Sequence, residues 1–311
     1  MLCDRPGAVP GRVASAAVAV EIIAGTPPGG GQDRAARAVA ASLGDGVTVT
    51  NLPGRGGGNA WDRLVASPGA VDLAAVSSPT LVTNALVGVS AIDHRDLTPL
   101  ALLYTEHGVL VVRPGSGLEE ASVLLDAMAA GTAVVSFATA LGNMNHLILA
   151  EIAGHAGAAV ASLPVHVFDS AQHALADLIA GEADVAVVSA ASAIAGVVES
   201  ALTAVMVTSP LRLGGVFAGT PTSVELGIPC VRGTWRGLVG PPGLDQTEID
   251  VWSHRLALAL AGERWRRLLE ENLWVDSHSG PEESMVFMEA ERIELGRLLR
   301  RLDLVAKVGD G

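Results

Sequence analysis

Lysine is almost absent from this 311-residue chain, where Lys307 near the C-terminus is the only one. A phosphate-binding Gly-Lys-Ser/Thr loop needs its lysine in a glycine turn that follows a strand, so that nucleotide motif is excluded. Cysteine is nearly as scarce: Cys3 and Cys230 are too few for a disulfide scaffold and read as free thiols without a role. Positive charge is in deficit, with 20 Lys and Arg against 33 Asp and Glu and a net charge of −13. That balance argues against nucleic acid, which is usually met by a basic face. No run of about 18 apolar residues is free of charged or turn residues, so no transmembrane span is expected. A GxSxG elbow, an HExxH helix and a full GxGxxG after a strand are all missing. His146 and Glu151 are five apart, which does not place both on one metal-binding helix face. Neither a metal nor a cofactor is expected. The opening Met1 to Val20 carries arginines at 5 and 12 and an apolar stretch that flows straight into a strand. Without a separate cleavage region it reads as a poor secretory signal, so either the chain stays in the cytosol or its leader was lost or begins upstream.

What is present is apolar: half of the residues, enough for a large core in one or two α/β units. The most informative stretch is Gly25-Thr26-Pro27-Pro28-Gly29-Gly30-Gly31-Gln32-Asp33. It joins the strand-like run Val18 to Ala24 to a segment with Ala36, Val39, Ala40 and Leu43 at helical spacing. Such a junction aims free N–H groups at whatever occupies the loop, and glycines allow close approach, so the fitting group is an anion. A second junction of this kind lies at Ala138 to His146. Further strands are expected at 47–52, 71–76, 97–103, 108–112, 133–138, 165–168, 185–189, 204–208 and 235–239, and helices at 60–66, 118–129, 145–153 and 171–180. Three closing helices are expected at about 247–261, 264–272 and 281–301. Alternating strands and helices predict parallel sheets covered on both faces, with binding loops at the carboxyl ends of the strands.

Several side chains at those ends have two readings. Asp33, in the first helical turn, is either a dipole-favoured acid or a ligand contact, and Gln32 is equally ambiguous. Asn145 reads as an N-cap. His146 enters a helix where the positive dipole end disfavours protonation, so a neutral imidazole is expected. Ser77, Ser78, Thr80, Phe168, Asp169, Ser170 and Ser189 end strands, where they either face the cleft or cap the next helix.

Thr26-Pro-Pro-Gly-Gly-Gly-Gln-Asp33, Asn51-Leu-Pro-Gly-Arg-Gly-Gly-Gly-Asn59, Ser78-Pro-Thr-Leu-Val-Thr-Asn84 and the Gly142-to-His146 loop together resemble the substrate-binding proteins of tripartite tricarboxylate transporters, the Bug receptors. Pro221 to Pro229 and Gly240 to Gly243 resemble the family's late turns, and the likeness runs from about Val20 to Leu302. The resemblance implies a type II periplasmic binding protein fold: two doubly wound α/β lobes, two crossovers and a ligand cleft between them. Carried over, the first lobe is 18–103 plus 210–311, the second is 104–209, and the crossovers lie near Leu103 and Ser209. It implies a non-enzymatic, extracytoplasmic receptor, expected to be a monomer, that binds a small organic acid and delivers it to membrane transporter components. The implied contacts are Pro28, Gly29, Gly30, Gln32, Asp33, Asn59, Ser78 and Thr80 in the first lobe. In the second they are Thr139, Leu141, Gly142, Asn143, His146, Phe168, Asp169 and Ser189. The chain departs from the family's Val-Pro-Tyr-Lys-Gly at His166-Val167-Phe168-Asp169-Ser170, and it has Ala140 and Asn143 where glycine and threonine or serine are common. Asp169 in place of a cation would favour an acid that also carries a hydroxyl, amine or amide group. Two rival readings are a cytosolic carboxylate sensor on the same scaffold and an acid–base enzyme using Asp33, His146 and Asp169.

Overall fold

The computed structural model describes residues 19–138, 143–158, 163–168 and 170–301. Among them the chain runs β1 (Val20–Ala24), α1 (Gly31–Leu43), β2 (Val47–Asn51), α2 (Gly58–Val65), β3 (Leu73–Ser77), α3 (Pro79–Leu86) and β4 (Thr98–Val112). It continues through α4 (Ala121–Ala129), β5 (Val135–Ala138), α5 (Met144–His155), β6 (Val165–Phe168), α6 (Ala171–Ala180), β7 (Val185–Ser189), α7 (Ala190–Val198) and β8 (Thr203–Val207). The closing elements are β9 (Gly233–Gly240), α8 (Gln246–Leu260), α9 (Glu263–Asn272), β10 (Val275–Ser279) and α10 (Pro281–Arg301).

Two groups of parallel strands, β2-β1-β3 and β7-β5-β6, are joined through antiparallel strands. β9 runs antiparallel between β3 and β4, and β10 also pairs antiparallel with β4. The expected parallel sheet therefore holds for the two outer groups and gives way to antiparallel pairing where they meet. β4 is one 15-residue strand rather than two short ones. Its residues up to His107 pair with β9, and Gly108 to Val112 pair with β7. The polar stretch Thr105-Glu106-His107 breaks the apolar pattern in the sequence without breaking the backbone ladder. Neither α7 nor the polar strand β10 is among the elements expected from the sequence.

The apolar runs follow from burial on both faces. In β4, Val109 and Val111 join one core cluster while Leu110 and Val112 join another. In β1, Ile22 and Ala24 pack with Val39, Tyr104 and Trp252 beneath α1 and α8, while Ile23 packs with Trp61 on the opposite face. A period of two thus feeds two cores at once, each fully buried branched side chain contributing about 1.5–3 kcal/mol.

The chain passes between the sheets a second time after β8, and this passage is stitched to β4. The Gly108 N–H donates to Thr208 Oγ1 (2.9 Å), whose hydroxyl donates to the Arg232 carbonyl (2.6 Å). Arg232 itself binds Glu151 of α5 with two hydrogen bonds (2.8 and 3.0 Å) and Glu294 of α10 at 2.8 Å. One guanidinium therefore ties a helix packed on the second sheet to a helix packed on the first. Replacing Thr208, which is fully buried, with valine keeps the shape and strands the Gly108 N–H. Thr208→Val is expected to cost about 1–3 kcal/mol in urea unfolding; unchanged stability would show that the stitch is not needed.

Candidate functional site

The β1–α1 loop is held by its own side chains. Asp33 accepts from the Gly29 N–H (2.8 Å), from Arg37 Nε (3.0 Å) and from Asn51 Nδ2 (2.8 Å). Its backbone N–H donates to Thr26 Oγ1 (3.2 Å). Gln32 reaches across loops: its Oε1 accepts from the Gly25 N–H (2.9 Å), and its Nε2 donates to the Gly56 carbonyl and to Ser78 Oγ. A Cβ on Gly25 would lie 2.4 Å from the Gly57 Cα, so only glycine lets these loops meet. The second loop needs glycine for another reason, since Gly54, Arg55, Gly56 and Gly57 all have positive φ. Arg55 is kept there by Asn59 and Asp62. Thr80 Oγ1 then donates to the Gly56 carbonyl (2.6 Å), which fixes this turn against α3.

These loops open on a cleft of about 260 Å³ lined from both sheets. Among the described residues, five helices begin at its wall: Gly30, Ser78, Asn143, Ser170 and Ser189 are the N-caps of α1, α3, α5, α6 and α7, and all five line it. Asn143 and Ser170 cap their helices by accepting from the His146 and His173 N–H groups. The N-cap residues of α1, α3 and α7 make no side-chain cap hydrogen bond, although in α1 Thr26 Oγ1 takes the Asp33 N–H. A helix leaves its first four N–H groups without intrahelical partners and carries about half a positive charge at that end, so this wall of the cleft is electropositive.

Of the residues singled out from the sequence, Gly29, Gly30, Gln32, Ser78, Thr80, Asn143 and Ser189 meet in this cleft. Pro28, Asp33, Asn59, His146 and Phe168 do not line it. Asp33 is turned back into its loop, and Asn59 holds the glycine turn through the Pro53 carbonyl (2.7 Å). Phe168 packs partly buried against the outer core of the second sheet. His146 stacks on Phe137 with ring centroids 5.5 Å apart, and burial lowers its pKa, so a neutral imidazole has burial as its cause. The N-cap of α5 is Asn143 rather than Asn145, because the helix starts one residue before Asn145. Thr139, Leu141, Gly142 and Asp169 lie outside the described residues.

Sequence reasoning missed a charged group in the same cleft. Arg34 of α1, Glu106 of β4 and Arg236 of β9 line it, with Arg34 Nη2 3.0 Å from Glu106 Oε1 and Arg236 Nη2 3.5 Å from Oε2. The available signal was a charge inside an otherwise apolar strand, since Glu106 and Arg236 interrupt buried runs. Cross-strand register, which opposes Glu106 to Thr234 and Tyr104 to Arg236, is what brings them together. Gln172 and Ser192 also line the cleft without having been singled out, and Asn145, read only as an N-cap, lines it too.

Two α/β lobes that share β4 and close a cleft ringed by helix N-termini define a solute-binding protein of the periplasmic type. The chain belongs to the tripartite tricarboxylate transporter family of receptors, whose family model matches residues 33–303. It is 29% identical over 244 residues to the UPF0065 protein of the tcbD-tcbE intergenic region of Pseudomonas sp. strain P51, covering 76% of this chain and 71% of that protein. It is also 29% identical over 255 residues to BugT of Bordetella pertussis, covering 78% and 76%. Solved structures share the fold. A TctC solute-binding protein from Polaromonas is 24% identical with a TM-score of 0.74, over 92% of this chain and 99% of that one. MatC of Rhodopseudomonas palustris with bound malate is 19% identical with a TM-score of 0.79, over 91% and 99%. An R. palustris protein with adipate is 19% identical with a TM-score of 0.82, over 94% and 99%. Members of this family are periplasmic solute receptors and not enzymes, which sets the acid–base reading aside.

Burial alone would raise the Asp33 carboxyl, but the hydrogen bonds from Arg37, Gly29 and Asn51 outweigh it and hold its pKa below the ordinary value. A depressed folded-state pKa contributes stability above the unfolded value of about 3.9 and loses it as the pH falls through the lower folded value. Asp33→Asn is therefore expected to lower stability by about 1–3 kcal/mol at neutral pH. In urea unfolding the deficit should shrink once the pH drops below about 4; a deficit independent of pH would contradict this role.

Proposed function

We propose that this receptor captures a small organic carboxylate in the cleft and delivers it to the membrane components of a tripartite tricarboxylate-type transporter. The observation that carries the reading is the convergence of five helix N-termini, two from one side and three from the other, on one cavity. Amide donors aligned in this way bind a charged acceptor about twice as strongly as a neutral one. The malate and adipate held by two structural relatives support a carboxylate as the ligand.

In this reading the contacts in the cleft are Gly29, Gly30, Gln32, Ser78, Thr80, Asn143 and Ser189. The moving parts are residues 18–103 with 210–311 on one side and 104–209 on the other, closing about β4 and the Thr208–Arg232 passage. A ligand that touches both lobes only in the closed form shifts the equilibrium toward it by its differential affinity. The closed form is then what the transporter distinguishes from the empty receptor. The protein acts outside the cytoplasm, in keeping with the family's periplasmic members.

Titration calorimetry against mono-, di- and tricarboxylates is the test. At least one acid is expected to bind with a dissociation constant in the micromolar range or below, corresponding to roughly −8 kcal/mol. Failure of every acid at millimolar concentration would overturn the carboxylate reading.

A further inference from the structure

We propose that Arg34, Glu106 and Arg236 form a second anion subsite in the cleft, so that the preferred ligand is a dianion whose far acidic group is received by the two guanidinium groups. The proposal rests on the carboxylate reading of the cleft and adds a specificity device to it.

The register of β4 against β9 sets Glu106 opposite Thr234 and Tyr104 opposite Arg236. Side chains two apart on a strand share a face, so these four lie on one face, with Glu106 and Arg236 as a diagonal pair. Arg34 reaches the other oxygen of Glu106 from α1. Two guanidinium groups thus share one carboxylate, and the side chains are 30%, 11% and 3% exposed for Arg34, Arg236 and Glu106. A whole positive charge is left over.

The surroundings do not neutralise that excess. Arg236 lies so close to the start of α1 that a Cβ on Gly31 would be 2.2 Å from its Nη2, which sets a cation against the positive end of a helix. The nearest acid along α1, Asp33, is already engaged by Arg37 and Asn51. Arg34 Nε and Arg236 Nε are buried and have no hydrogen-bond partner among the described residues. Arg236 as a whole is 9% exposed and lines the cleft. Beneath it Tyr104 stacks on Trp274 with centroids 3.9 Å apart and planes 10° apart, which holds this face of β4 in place.

Buried charge without a counter-charge is costly, and a guanidinium meets a carboxylate with two parallel hydrogen bonds. An acid with one carboxylate is served by the helix N-termini and leaves the guanidinium pair as it was. An acid with two meets both. Sulfonate or phosphonate as the second group has the same chemistry, and the chain length that fits is an outcome of the experiment.

The test is calorimetry with succinate, glutarate and adipate against butanoate, pentanoate and hexanoate, on the native protein and on Arg236→Met and Arg34→Gln. On the native protein at least one dicarboxylate should bind roughly tenfold or more tighter than its matched monocarboxylate. Arg236→Met should lower that dicarboxylate's affinity by about tenfold or more while changing the monocarboxylate's by less than about twofold. Thermal unfolding checks that each variant is folded, and Arg34→Gln, at a partly exposed position, decides if Arg236→Met is not. Matched acids that bind alike, or folded variants that keep the discrimination, would overturn the subsite while leaving the carboxylate reading intact. Failure of all six acids on the native protein would overturn the subsite, and the wider panel of mono-, di- and tricarboxylates then decides the carboxylate reading.

Discussion

One strand shared between two sheets is the constraint on which the site depends. Because β4 pairs with β9 up to His107 and with β7 from Gly108 onward, the carboxyl ends of β1 and β3 face those of β5, β6 and β7 across a gap. Helices that follow those strands must begin at the gap, and a helix that begins there presents its N–H groups to it. The ring of helix N-termini is thus a consequence of topology before it is a property of any side chain. The crossing is held by hydrogen bonds among Gly108, Thr208 and Arg232, and the Arg232 cluster with Glu151 and Glu294 sits beside it. These contacts join helices packed on the two sheets at the point where the chain crosses between them.

The charge of the whole chain and the charge of the cleft have opposite signs. A net charge of −13 repels an anion at long range, yet exposed charges more than about 8 Å apart are largely screened at physiological salt. Among the described residues the local sources in the cleft are five helix ends and two arginines against Glu106. Asp33 illustrates how the chain keeps its acids out of the way. Its carboxylate closes the β1–α1 loop onto the Gly29 N–H and onto Arg37, so the acid nearest the glycines orders the loop and spends its charge there.

The glycine-rich junctions were legible in the sequence because their chemistry is local: a strand, a turn only glycine can make, and a helix start within a dozen residues. So were most strands and the three C-terminal helices, since a period of two or of 3.6 is written into consecutive positions. Asp33 is ambiguous in the sequence, and Asn59 reads there as a ligand contact, for the same physical reason. A polar side chain next to a glycine loop can serve the ligand or the loop, and only the partners Gly29, Arg37, Asn51 and Pro53 decide. The continuity of β4 was hidden by Thr105-Glu106-His107, and the Arg34, Glu106 and Arg236 group by a separation of 130 positions between the last two, closed only by strand register. Reading the site from glycine loops alone therefore placed its grip in backbone amides and overlooked the arginines beside them.

The most direct measurement of the central claim is a backbone amide titration by heteronuclear NMR with the best-bound acid. The account predicts that Gly31, Gln32 and Thr80 on one side, and Asn145, Ala171 and Gln172 on the other, shift together and saturate at one common ligand concentration. Shifts confined to one side, or to amides away from these helix starts, would contradict it.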